Sequence, residues 1–96
     1  MPEFENDLLK CKFKVPDHPT VRQQLAWYSE LGFTQPSREQ YWNAAKAILY
    51  DWECEALPDP QVNLDSIENP NQTLIIMWTG SQVLVYMDAL NNLPKN

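Results

Sequence analysis

Hydrophobic and polar residues alternate strictly near the start of the chain. Leu9, Cys11, Phe13 and Val15 fall on one side of an extended backbone, and Lys10, Lys12 and Lys14 on the other. A period of two marks a half-buried strand, expected over 7–15, and a lysine face guards a sheet edge against mispairing. Pro16 ends it, because proline brings no amide hydrogen to a ladder. Residues 1–6 read as a loose acidic tail. The strand is left without an evident partner, so it must pair with a segment of ambiguous pattern or with another chain.

Beyond Asp17 the spacing changes to three and four. Thr20-Val21-Arg22-Gln23 has capping-box form, a hydroxyl followed three residues later by a side chain that can reach back. It predicts a helix over 19–31, with Val21, Leu25, Tyr28 and Leu31 on one face and Trp27 beside it. Gly32 is a natural stop, because glycine tolerates a left-handed conformation. Ser37-Arg38-Glu39-Gln40 repeats the capping box. A second helix is read over 38–55, its wide apolar stripe built on Tyr41, Trp42, Ala45, Ile48, Leu49 and Trp52. Asp51, Glu53 and Glu55 then sit at the helix end where the macrodipole is already negative. Residues 56–69 form a loop anchored by Val62, Leu64 and Ile67, with a single helical turn near Asp65 and Ser66.

Asn69-Pro70 is a good helix start, asparagine as cap and proline at the first position. A third helix over 70–91 places Ile76, Gly80, Val83, Met87 and Leu90 on one face. The same residues admit a second reading, a hairpin at 73–87 with a Gly-Ser turn. The Asn-Pro start and the spacing through Leu90 favour the helix. A helix apolar nearly all round must be buried on most sides or face a neighbouring chain. The exposed end of the chain follows. The expected fold class is mainly α, a three-helix domain preceded by one N-terminal β-strand, with an α+β fold carrying a C-terminal hairpin as the alternative.

Ninety-six residues make one small domain, 1–96. A hydrophobic content of 44% with four tryptophans is too rich for disorder. The net charge is -6, and it is unevenly spread. Between Ala47 and Pro94 there is no lysine or arginine, while Asp51, Glu53, Glu55, Asp59, Asp65, Glu68 and Asp88 accumulate. Such a half repels nucleic acid unless it mimics it, and attracts basic protein surfaces. The N-terminus has no apolar signal-peptide core, and the apolar runs 74–78 and 83–87 fall short of a membrane span. Cys11 and Cys54 are expected as free, buried thiols in a reducing cytoplasm.

Chemistry-bearing patterns are sparse. His18 is the single histidine, in a turn, with no nucleophile beside it. Cys11, His18 and Cys54 lack the local ligand pair of a zinc site. Two glycines provide no phosphate loop. No catalytic, cofactor-binding or metal-binding residue is assigned, and no cofactor is expected. The aromatics are the richest resource, since Trp and Tyr dominate interface hot spots as well as small cores. Trp27, Tyr28, Trp52, Glu53 and Glu55 are the candidate protein-binding residues.

The stretches KVPDHPTVRQQLAWYSELG, YWNAAKAILYDWECEALPD and MWTGSQVLVYMDALNNLPKN, spanning 14–96, resemble small tailed-phage and prophage proteins of the tail assembly chaperone type. The resemblance implies a non-enzymatic cytoplasmic protein made during virion assembly, one that shields a tape-measure or tail-tube protein from premature association. No catalytic residue is carried over by it. The expected partner is therefore another protein, with no nucleic acid and no membrane, and self-association through the N-terminal strand or the third helix is a further expectation. The alternative function is an acidic inhibitor of a host defence nuclease that mimics nucleic acid.

Overall fold

A computed structural model describes residues 2–91. The elements run β1 (Glu3–Asn6), β2 (Cys11–Lys14), α1 (Val21–Leu31), α2 (Arg38–Lys46), β3 (Tyr50–Cys54), a 3-10 turn (Leu64–Ser66) and α3 (Pro70–Asn91). Three helices and an antiparallel sheet ordered β1-β2-β3 make a mainly helical domain. The terminal residues 92–96, expected as an exposed end, lie outside the described residues.

The alternating strand is present, shorter than expected, and central in its sheet. Cys11, Phe13 and Val15 are buried, while Lys12 and Lys14 are half-exposed. Both of its partners come from segments read differently in the sequence. The expected loose tail supplies β1, with Phe4 opposite Phe13 and Glu5 opposite Lys12. The expected second half of the second helix supplies β3, with Cys54 opposite Cys11 and Glu53 opposite Lys12. One N-terminal strand is thus corrected to a three-stranded sheet, and β2 pairs on both sides within the chain.

The reason α2 stops at Lys46 lies in the residues that follow. From Asp51 to Glu55, carboxylates alternate with Trp52 and Cys54. In a helix these acids would scatter around a C-terminus that disfavours them. In a strand they share one face, where Lys10–Glu55, Lys12–Glu53 and Lys14–Asp51 pair at 3.7, 3.1 and 3.4 Å. Trp52 then turns inward, and its indole N–H donates to the Leu57 carbonyl at 2.7 Å. The pairing shifts register between Lys12 and Lys14, and Asp51 takes φ 52° there. A bulge of this kind twists an edge strand away from unwanted pairing.

Both capping boxes form as read. Thr20 Oγ1 accepts from the Gln23 amide at 3.1 Å while the Thr20 amide donates to Gln23 Oε1 at 2.8 Å. Ser37 and Gln40 repeat the exchange at 3.2 and 2.8 Å. Gln40 Nε2 also donates to the Glu30 carbonyl, tying the end of α1 to the start of α2. Gly32 closes α1 at φ 71°. Asn69 caps α3 by accepting from the Asn71 amide at 2.8 Å, and the helix over 70–91 replaces the hairpin alternative. Val62, Leu64 and Ile67 anchor the preceding loop on the core.

The helices cover one face of the sheet. Phe13 is the hub, with ring centroids 5.3 Å from Phe4, 6.0 Å from Trp52 and 5.4 Å from Trp78. Val15, Trp27, Ala44, Ala45, Ile48, Val83 and Met87 extend the core to one side, and Trp42, Leu57, Ile75 and Ile76 to the other. Tyr86 reaches across to donate its hydroxyl to the Pro16 carbonyl. Burial, chiefly, raises that phenol's pKa. Trp42 Nε1 is buried without a hydrogen-bond partner, a cost partly offset by Lys46 Nζ lying 5.4 Å over the ring.

Candidate protein-binding groove along the third helix

By length and composition alone α3 is apolar enough to cross a membrane, although its two apolar runs, taken separately, are short. In the fold it has a buried side, made of Ile75, Ile76, Thr79, Gly80, Val83, Tyr86 and Met87. Thr79 satisfies its hydroxyl by donating to the Ile75 carbonyl at 2.8 Å. Gly80 marks the crossing with α2: a Cβ built there would stand 3.1 Å from Tyr41 Cβ and 3.5 Å from the Trp42 amide nitrogen.

The opposite side keeps its apolar character without cover. Leu74 is 51% exposed and Val85 62%, with Met77, Trp78 and Leu84 half-buried between them. The β1–β2 turn adds Leu8, 95% exposed, and Leu9. Its conformation is fixed locally: the Leu9 amide donates to Asn6 Oδ1 at 3.0 Å, and Lys10 takes φ 53°. Leu8, Leu74, Met77 and Trp78 border a shallow groove of ≈ 610 Å³. Past Ser81 it meets a second cleft of ≈ 220 Å³ between α2 and α3, where Arg38 and Tyr41 face Leu84. Met77 and Ser81 line both, so one apolar path runs along the helix. Arg38 Nη1 lies 3.7 Å from Met77 Sδ at its rim.

The five residues expected to bind protein are not brought together. Trp27 is buried in the core beside Tyr41, ring centroids 6.4 Å apart. Trp52 faces the core from β3. Both therefore pack in the core. Glu53 and Glu55 are exposed on the opposite face of the sheet. Tyr28 is exposed on α1 with Val21 and Leu25, so most of the apolar face of α1 points to solvent, while Leu31 at its end packs on the core. The groove residues Leu8 and Leu74 were missed. For Leu74 the one sequence signal is the excess of apolar residues around α3, more than a single buried side requires; Leu8 has none.

The outer sheet face is a charge-paired surface. The lysine row of β2 lies between Glu3 and Glu5 of β1 and Asp51, Glu53 and Glu55 beside it. Hydrogen bonding to Glu53, then the charges of Glu53, Glu3 and Glu5, raise the Lys12 pKa. A raised value means that this preference is present through neutral pH and is lost only as pH rises past the ordinary 10.5. Reversal by Lys12→Glu is expected to put three carboxylates abreast. Melts should show a lowered Tm whose deficit is largest in dilute buffer and shrinks at ~1 M salt. A deficit independent of salt would show that the row is not held electrostatically.

Among the described residues no cluster of His, Cys, Asp and Glu could hold a metal ion. His18 is exposed in its turn. Compared with known proteins, the chain matches no family model, no curated protein and no solved structure.

Proposed function

We propose that this chain is a non-enzymatic protein-binding module whose groove along α3 receives an apolar helical segment of its partner. The observation that carries this reading is the continuous uncovered path from Leu8 through Leu74 and Met77 to Leu84. Monomeric proteins rarely leave a large contiguous apolar strip bare, and such strips mark interaction sites. A groove beside a rigid helix suits an amphipathic helix, whose side chains repeat at three and four residues. The sequence resemblance gives the module a concrete form. It is a tail assembly chaperone-like protein of phage origin, acting in the host cytoplasm, that covers a tape-measure or tail protein until assembly.

The alternative, a nucleic-acid mimic that inhibits a defence nuclease, has less support. Mimicry requires carboxylates at phosphate-like spacing on one rigid face. Here the exposed acids of the sheet are interleaved with lysines that neutralise them.

The test is co-expression with tagged tape-measure and tail proteins from the same source genome, using the wild type and a Leu8→Glu, Leu74→Glu double variant. Both positions are exposed, so Tm and circular dichroism should stay close to wild type. Binding is expected to weaken by ~10-fold or more, as for the loss of interface anchors. Capture that is unaffected by the double variant, or capture of a nuclease in place of a tail protein, would overturn the proposal.

A further inference from the structure

Cys11 and Cys54 stand directly opposite each other on β2 and β3, and both are free and buried. The Glu55 amide donates to the Lys10 carbonyl at 3.2 Å, which makes Lys10 and Glu55 a hydrogen-bonded pair. Pairs alternate along an antiparallel ladder, so Cys11 and Cys54 occupy a non-hydrogen-bonded site. There the Cα atoms approach to about 4.5 Å and the side chains are closest. That separation falls within the range of about 4.4–6.8 Å that a disulfide spans.

We infer that Cys11 and Cys54 form a reversible cross-strand disulfide, a redox-sensitive staple between β2 and β3. It requires no change of register. It would tie the start of β2 to the end of β3 and enclose α1 and α2 within one covalent loop. The inference is independent of the groove and of what the groove binds.

The oxidant class is a small-molecule disulfide, such as oxidised glutathione. Cys54 is the point of entry. It ends an edge strand and is 9% exposed, against 3% for Cys11. Burial also pushes the Cys11 thiol well above its ordinary pKa, which makes it a poor first nucleophile. The Cys54 thiol loses its proton and its sulfur attacks one sulfur of glutathione disulfide. One glutathione thiolate leaves and takes up that proton. Cys11 sulfur then attacks Cys54 sulfur in the mixed disulfide, displacing the second glutathione, which accepts the Cys11 proton. Two protein thiols are oxidised, one disulfide is reduced to two thiols, and no other reactant is needed.

The experiment is refolding of the full chain from urea in buffers of stepped reduced-to-oxidised glutathione ratio, read by intact mass and by Tm. The oxidising end should yield a monomer lighter by two hydrogens, with native circular dichroism and a Tm raised by ~5–15 °C. A dithiol reductant should restore both mass and Tm. Cys11→Ser and Cys54→Ser should each abolish the mass loss. Refolding to the native spectrum with both thiols free across the whole series would overturn the inference. So would a stable glutathione adduct, a covalent dimer, or a stapled chain with a lowered Tm.

Discussion

Phe13→Ala is expected to remove about 3–5 kcal/mol of stability, the usual cost of deleting a buried aromatic. The side chain is fully buried and its ring meets Phe4, Trp52 and Trp78. It therefore joins all the strands of the sheet to α3. A domain of this size has roughly 5–15 kcal/mol in total, so the variant should retain much less of its folded margin. Urea unfolding followed by tryptophan fluorescence will show a midpoint far below wild type. A loss under ~1 kcal/mol would mean that the three ring contacts are not the keystone described.

Gly80→Leu is the second large effect, and Gly80→Ala is its control. Alanine recovers about 1 kcal/mol of helix propensity over glycine. Its single methyl stands 3.1 Å from Tyr41 Cβ, so α2 must yield by only a few tenths of an ångström. The two terms nearly cancel, and Gly80→Ala should leave Tm almost unchanged. Leucine keeps the propensity gain but drives its branched end toward the Tyr41 and Trp42 backbone, where overpacking costs about 1–3 kcal/mol or more. The expected series is flat from glycine to alanine and then falls steeply to leucine. A leucine variant as stable as the parent would show that α2 and α3 are not held at this approach. Because Gly80 also lines the cleft beside Arg38 and Tyr41, partner binding by Gly80→Ala separates a packing role from a binding one.

Local rules identified the helix starts almost to the residue. Thr20, Ser37 and Asn69 are caps by virtue of side chains that satisfy neighbouring amides, an interaction complete within four residues. Gly32 and the alternation around Phe13 are equally local. Between Tyr50 and Glu55 two local signals conflict. The preceding alanines extend a helical pattern, while DWECE alternates with the period of a strand. What settles the conflict is distant in sequence: β2, which pairs with this segment, sets its lysines against the acids and stacks Phe13 on Trp52. The acids placed at an unfavourable helix end were the available clue.

The candidate site was less legible than the fold. Trp27 and Trp52 look like interface residues by type, and nothing in their spacing says that the core claims them. Leu8 sits in a turn and Leu74 in a helix apolar nearly all round, so neither stands out by pattern. By itself, the sequence determined where the helices begin, that β2 has one apolar and one cationic face, and that α3 carries more apolar surface than one contact can bury. Only the tertiary structure decided which strands flank β2, which face of α1 and of α3 is left open, and that Cys11 meets Cys54. Those outcomes depend on packing between elements far apart in the chain. Helical and strand periodicity report which side chains share a face; they carry no information on which of two apolar faces another element will cover.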